Sequence, residues 1–376
     1  MASLMGGGAE RQMGLLLNRL DRAHFDPALS LFEKRGEFLS RLADDVPVSG
    51  LGKRSARDAP LMVTRLAKQM REVQPDVVFS KVDYTNVVVA LAAWLARSDA
   101  ALVLGEVSLQ SGALQNMSYP ALRRALLRWS YPRAASVVVS TPGVARDLEE
   151  LGVSARFDVV PNMLALAEAQ DSAAEQQPHP FDGGGAAVVS AVGRLAAGKG
   201  HADLLRAFEL LRRRRPCKLL LIGDGPERQS LEALAAQLEL GGDVAFMGFV
   251  ENPHAVVAET DVFVSPSHFE SFGNAIVEAM ALGVPVVSTR VPAGPEWLIE
   301  DRRSGVFANA HDPEDLAQKT ELVLDDAQLR AEIAAGGRKA ARRFDIPTVV
   351  AAYEAVFERV AADRVAGRLA GDRDLA

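Results

Sequence analysis

Two carboxylates eight positions apart, Glu270 and Glu278, stand in the stretch SPSHFESFGNAIVEAMALGVPVVST at 265–289. The pattern predicts a strand ending near Ser265, a loop, and a helix that starts close to Gly273-Asn274. Backbone N–H groups at such a helix start, with the helix dipole behind them, make a ready seat for a phosphate. Glu270 falls on the loop and Glu278 about one turn into the helix, so both can face one cleft. A carboxylate in those first turns suits bidentate acceptance from ribose hydroxyls. The plain alternative makes Glu270 a dipole partner and Glu278 a solvated helix residue. Against it, Glu278 is set in an apolar run, AIVEAMAL, where an unpaired carboxylate is costly.

A second stretch, AVGRLAAGKGHADLLRAF at 191–208, reads as strand, glycine turn and helix, with Gly193, Arg194 and Lys199 in the turn. Two cations at the C-terminal edge of a strand, beside a helix start, are what a pyrophosphate leaving group needs when no metal is bound. Alone the signal is weak, because loop cations are commonly solvated. The turn Gly223-Asp224-Gly225-Pro226 follows another strand but lacks GxGxxG spacing, and reads as structural. Phe249 and Val250, on a loop at the same sheet edge, offer either a seat for a flat nucleobase or ordinary core packing. The six histidines, His24, His179, His201, His254, His268 and His311, show no metal-ligand spacing such as H-E-x-x-H. His268 lies beside the site; the others read as surface or packing residues, and no metal or cofactor is expected.

These groups need scaffolding, and the chain supplies it as short β-branched runs alternating with longer helical patterns. Val77–Ser80, Ala101–Gly105, Val137–Ser140 and Phe157–Val160 read as strands; Tyr84–Arg97 and Pro142–Leu151 read as helices. Residues 164–185, rich in Ala, Gln, Pro and Gly, read as a linker. The alternation then restarts, with strands at Ala187–Val192, Lys218–Ile222, Val244–Met247, Val262–Ser265 and Val284–Thr289. Helices fall between and after them, the last at Val349–Val360. Such alternation is the signature of a doubly wound α/β sheet, here twice over. The expected division is therefore 1–163, a linker at 164–185, 186–345, a C-terminal helix at 346–362 and a frayed tail at 363–376. The Gly6-Gly7-Gly8 turn follows only five residues, so the strand that feeds it is either very short or begins upstream of Met1.

Composition narrows the function classes. With 376 residues, two or three domains are expected, and a net charge of −7 argues against nucleic acid as a partner. The first 175 residues are about neutral, so the excess acid lies further on. The single cysteine, Cys217, excludes a disulfide framework or cysteine-based zinc site within one chain and suits a reducing, cytoplasmic compartment. No run approaches the roughly 20 apolar residues of a membrane span, and residues 1–8 lack the basic and apolar regions of a secretory signal.

Taken together, the stretches resemble the family-four retaining glycosyltransferases. GGGAER near the start, VVPN at 159–162, VGRL…KG at 192–200, GDGP at 223–226, GFV at 248–250 and ESFGNAIVEAMALGVPVV at 270–287 carry the resemblance, the last most specifically. It covers nearly the whole chain, strongly after residue 185 and loosely before. It implies a GT-B fold, two Rossmann-like domains facing across a cleft, with the C-terminal helix returning to the N-terminal, acceptor-side domain. It further implies that Arg194 and Lys199 hold a donor diphosphate and Glu278 the ribose. Glu270, with Ser271, Phe272, Gly273 and Asn274, would lie near the transferred sugar and diphosphate, with Gly193 and Val250 lining the donor site. Gly7 and Gly8 would let the N-terminal backbone approach the phosphates. The resemblance breaks at Gly105-Glu106-Val107-Ser108: many relatives carry a histidine where this chain has Val107, while Glu106 and Ser108 remain on the acceptor side.

The expected activity is metal-independent, retaining transfer of a sugar from a nucleotide diphosphate sugar, uridine being the default base. The acceptor would be a glycan or lipid-linked molecule in cell-surface polysaccharide or glycolipid synthesis. Rivals are a GT-B sugar-nucleotide epimerase and a non-catalytic partner that binds nucleotide sugar. The segment YPALRRALLRWSYPR at 119–133 interleaves Arg123, Arg124, Arg128 and Arg133 with apolar and aromatic residues. It is either a surface helix or a contact with an anionic membrane, which would place the protein on the inner face of the cytoplasmic membrane.

Overall fold

The computed structural model describes residues 1–5, 8–55, 58–115, 118–175, 179–181 and 184–373. The chain divides into two compact units, Met1–Met163 with Ile346–Ala376, and Leu164–Asp345.

In the first unit, strands β1 (Leu29–Leu31) and β2 (Val48–Gly50) pair in parallel as a separate ribbon. Strands β3 (Val77–Lys81), β4 (Ala101–Glu106), β5 (Ser136–Val139) and β6 (Phe157–Val159) form a parallel sheet in that order. The central strands β4 and β5 are buried along their whole length, as expected of a parallel sheet covered on both faces. The helix Ile346–Arg373 packs on this unit through Tyr353 and Phe357, whose rings each lie 5.5 Å from Phe79. Arg359 clamps Asp158 through both guanidinium nitrogens, and Arg364 reaches Asp76 at 2.6 Å. The tail expected from 363 onward is thus a correction: the helix runs on to Arg373. Its Ala, Arg and Leu residues favour helix, and Arg364 ties the extension down.

The second unit holds β7 (Ala187–Val192), β8 (Cys217–Ile222), β9 (Val244–Gly248), β10 (Val262–Ser265), β11 (Val286–Thr289) and β12 (Val306–Ala308). All pair in parallel, in the order β12-β11-β10-β7-β8-β9. The first and fourth strands of the unit are therefore neighbours, and the connections leave them in opposite directions. This is the doubly wound Rossmann order, and its switch point, between β7 and β10, is where such sheets bind ligands. Leu219 to Ile222 on β8 are at most 2% exposed and fix the sheet in the core.

The linker expected at 164–185 is also corrected. Leu166–Ala173 is a helix of the second unit, packed on the helices Pro253–Ala258 and Asn274–Leu282. Leu166 and Ala169, three apart, share its buried face, and Gln170 donates to the Ala281 carbonyl at 3.2 Å. Its Gln and Ala content, which suggested a connector, is equally good helix composition. Residues 176–178 and 182–183 of that stretch lie outside the described residues.

Candidate active site

The loops that leave β7 and β10 at the switch point carry Arg194 and Lys199 on one side and Glu270 on the other. The two loops are joined: Lys199 Nζ donates to Glu270 Oε2 at 2.6 Å, and the amides of His268 and Phe269 donate to the Gly198 carbonyl at 3.0 and 3.3 Å. The Glu270 side chain is 17% exposed and that of Lys199 34%, so the pair is partly shielded yet reachable by a ligand. Arg194 is exposed and pairs with no carboxylate among the described residues.

The Arg194 loop is held by the GDGP turn. Gly193 donates to the Ile222 carbonyl at 2.9 Å, Leu195 to Asp224 at 3.0 Å, and Glu227 back to Leu195 at 2.9 Å. A side-chain carbon at Gly223 would sit 2.0 Å from the Gly193 carbonyl oxygen, so only glycine lets the two turns meet. The GDGP motif therefore positions the cation-bearing loop.

Glu270 leads into the helix Asn274–Leu282. Its cap, Gly273, has φ 104°, a conformation open to glycine and strained for other residues. The Gly273 carbonyl accepts from the amides of Ile276 and Val277 at 3.0 and 3.3 Å, which closes the first turn of the helix at the loop. The Phe272 ring is buried, 5.5 Å from Phe344 and 6.3 Å from Trp297, so it anchors the loop from below and leaves only its backbone for a ligand. Ser271 is half-buried and Asn274 exposed. Glu278 lies one turn further along, its side chain 24% exposed and Oε2 3.7 Å from His254 Nε2. His254 stands at the start of the helix Pro253–Ala258, after the loop bearing Phe249 and Val250. Phe249 is 86% exposed, so ordinary core packing does not explain it, whereas Val250 packs on the core.

In the first unit, Gly8 opens the helix Gly8–Arg19 with open space where a side-chain carbon would sit, while Gly7 lies outside the described residues. Glu106, at the end of β4, is 1% exposed. Its carboxylate accepts from the amides of Val107 and Ser108 at 2.9 and 3.1 Å and from the Tyr131 hydroxyl at 2.7 Å. Burial pushes Glu106 up to about 7, against the pull of these hydrogen bonds. Burial likewise drives Lys81 down to about 8, which Glu106 opposes. Glu106 is thereby spent on holding the Val107–Ser108 backbone, and Ser108 remains half-buried.

Three residues far apart in the sequence also meet here. His268 Nε2 lies 2.7 Å from Asp203 Oδ2, and its ring stacks on that of His311 at 3.8 Å. Spacing along the chain gave no sign of this cluster, because its members come from three separate loops and helices.

Two family models divide the chain between them: the one described as Glycosyltransferase Family 4 matches 6–168, and the one described as Glycosyl transferases group 1 matches 171–340. The chain belongs to this glycosyltransferase family. A lipopolysaccharide core biosynthesis glycosyltransferase of Rhizobium meliloti is 34% identical over 56% of this chain and 61% of its own length. A second from the same organism is 27% identical over 95% of this chain and 97% of its own. The fold is that of Anabaena HepE, solved in complex with UDP, with a TM-score of 0.79, 23% identity and coverage of 96% and 100%. The lipopolysaccharide outer core galactosyltransferase WaaB superposes with a TM-score of 0.75, 18% identity and coverage of 95% and 98%. These likenesses make each unit one of the two Rossmann-like domains of a GT-B glycosyltransferase.

Proposed function

We propose that this glycosyltransferase transfers a sugar, with retention and without a metal, from a uridine diphosphate sugar to a glycan or lipid-linked acceptor in cell-surface polysaccharide or glycolipid synthesis. The observation that carries the reading is the meeting of the β7 and β10 loops at the switch point. There Lys199, Arg194 and the first amides of the helix Asn274–Leu282 supply the positive potential that a departing diphosphate requires. Glu278 accepts from the ribose hydroxyls, and the exposed Phe249 with Val250 seats the base. Glu270, held by Lys199, positions the donor sugar. The acceptor hydroxyl attacks from the face that the diphosphate leaves, which retains configuration. The relatives named for lipopolysaccharide core synthesis support the acceptor class.

Peripheral membrane contact belongs to the same proposal. No helix among the described residues is long and apolar enough to cross a membrane. Around the helix Pro120–Ser130, Tyr119 is 77% and Leu122 59% exposed, and Trp94, on the adjoining helix Asp83–Ala96, is 67% exposed. The arginines are less free than their number suggests: Arg124 and Arg128 both donate to the Leu151 carbonyl at the end of the helix Pro142–Glu150. Arg133 stacks on Trp129 at 4.3 Å.

The test is incubation of the purified full chain with a panel of nucleotide diphosphate sugars and candidate acceptors, read by NMR. Net transfer with the donor's anomeric configuration supports the proposal. Isomerised donor without transfer would make the protein an epimerase, and donor binding with neither hydrolysis nor transfer a non-catalytic partner.

A further inference from the structure

Two segments of the second unit are linked twice. Lys199 pairs with Glu270, and four residues on, Asp203 pairs with His268, two residues before Glu270. The second link has a third member. His311 precedes the helix Pro313–Asp325, and its ring lies over that of His268 with centroids 3.8 Å apart and planes inclined by 32°. One ligand atom from each of Asp203, His268 and His311 can be chosen so that all three lie within 4.8 Å of one another. His311 reaches this place with φ 60°, a left-handed conformation that few non-glycine residues adopt.

We propose that Asp203, His268 and His311 form a binding site for one metal ion of the zinc class, which fastens the Glu270-bearing loop to the helix that follows Lys199. Two imidazoles and one carboxylate are an intermediate nitrogen–oxygen set that suits zinc, cobalt or nickel and suits calcium or magnesium poorly. Imidazoles in face contact repel if both are protonated, and the neutral form is the one that ligates. Zinc bonds of about 2.0–2.2 Å in a tetrahedron need ligand atoms about 3.4 Å apart. The 2.7 Å Asp203–His268 contact and the 4.8 Å outer limit bracket that spacing, so small side-chain rotations complete the set. Asp203 and His268 have side chains only 19% and 25% exposed, while the exposed His311 leaves an entry path and room for a water as fourth ligand. The second oxygen of Asp203 faces Arg206 at 3.4 Å, which orients the carboxylate from behind. The backbones are fixed already: His268 is tied to Gly198, and Asp312, next to His311, caps its helix by accepting from Asp315. The ion has no part in sugar transfer; it sets how rigidly the loop before Glu270 is held.

The experiment uses the full chain, freed of metal by a chelator and titrated with zinc by calorimetry, with cobalt as a visible-absorption probe. One ion per chain and cobalt bands typical of a tetrahedral nitrogen–oxygen site are expected. Asp203→Asn and His311→Asn should each weaken binding at least tenfold. His311→Asn suits the left-handed backbone, so the variant keeps its fold, and an unchanged metal-free melting temperature verifies this. The control His24→Ala, on the exposed surface of the other unit, should bind as wild type does. The site is overturned if zinc fails to saturate at one equivalent, if both asparagine variants bind as tightly as wild type, or if His24→Ala abolishes binding. Donor affinity, measured separately in metal-free buffer, decides the transferase reading without touching this one.

Discussion

Replacing Glu106 by Gln tests how the first unit stores a carboxylate inside its sheet. The folded chain holds Glu106 at about 7 because burial outweighs the hydrogen bonds from Tyr131, Ser108 and Val107, whereas its ordinary value is 4.5. Between those pH values the folded state keeps a proton that the unfolded state has lost. The contribution of this group to stability therefore falls as pH rises through the window and levels off above 7. From pH 5 to pH 7 the loss is about 2 kcal/mol. His201, lowered to about 4 by burial and by Lys199, and the Met1 amine, lowered to about 6 chiefly by burial, act with the opposite sign at overlapping pH. Both are present in either protein and cancel in the difference. Lys81 lies at about 8 with Glu106 beside it; Glu106→Gln removes that opposing charge, so Lys81 moves down and adds to the variant's gain with pH in the same direction. The assay is urea unfolding at pH 5, 6 and 7 in a Trp297→Phe background, where the remaining tryptophans, Trp94 and Trp129, both report on the first unit. Glu106→Gln should gain at least about 2 kcal/mol on wild type between pH 5 and 7, whatever the offset at pH 5. A gap that stays constant within about half a kcal/mol would mean that Glu106 is ionised throughout, and the account of its burial would be wrong.

The remaining expectations concern the proposed chemistry. Glu278→Gln should weaken donor binding by about 1.5–3 kcal/mol with little change in melting temperature, since a charged hydrogen bond to ribose is lost; unchanged affinity in calorimetry would remove Glu278 from the site. Lys199→Ala should lower kcat by at least about tenfold, as expected for a group that meets charge developed on the leaving diphosphate; a pure KM effect would assign it to ground-state binding. Activity should persist in a chelator, and its loss there with recovery in magnesium or manganese would refute metal-independent departure. Tyr119→Ser with Leu122→Ser should abolish co-sedimentation with anionic vesicles without unfolding the helix, because both side chains are exposed. Equal sedimentation of the double variant would locate any membrane contact elsewhere.

Periodicity made most of the second unit legible. Its strands, apart from the half-buried edge strand β9, are mostly buried on both faces and so read as unbroken apolar runs, and the glycine turns between them are steric necessities that leave a mark in the sequence. The short strands β1, β2 and β12, each of three residues, carry too little pattern to stand out. The order of the strands was not legible either, because alternation of strand and helix is the same whichever side each connection takes. That order matters most, since it sets β7 beside β10 and so brings the Lys199 and Glu270 segments together.

Residues that act through others were the hardest to read. GDGP reads in sequence as a structural turn, but what it supports, a close approach of Gly223 to Gly193 and of Gly225 to Leu195, only the packed chain reveals. The resemblance places Glu106 on the acceptor side, and nothing in its segment shows that it is a buried carboxylate bonded by the Tyr131 hydroxyl. His254 is unremarkable in its segment until the helix Asn274–Leu282 places Glu278 beside it. In each case the residue type set what chemistry was available, and the partner from a distant segment set which chemistry was realised. The same logic makes Lys199 and Glu270 inseparable: a cation and a carboxylate 2.6 Å apart hold each other in place before any donor arrives. On the proposed reading, Lys199 thus holds Glu270 in place for the donor sugar while its remaining N–H groups face the diphosphate.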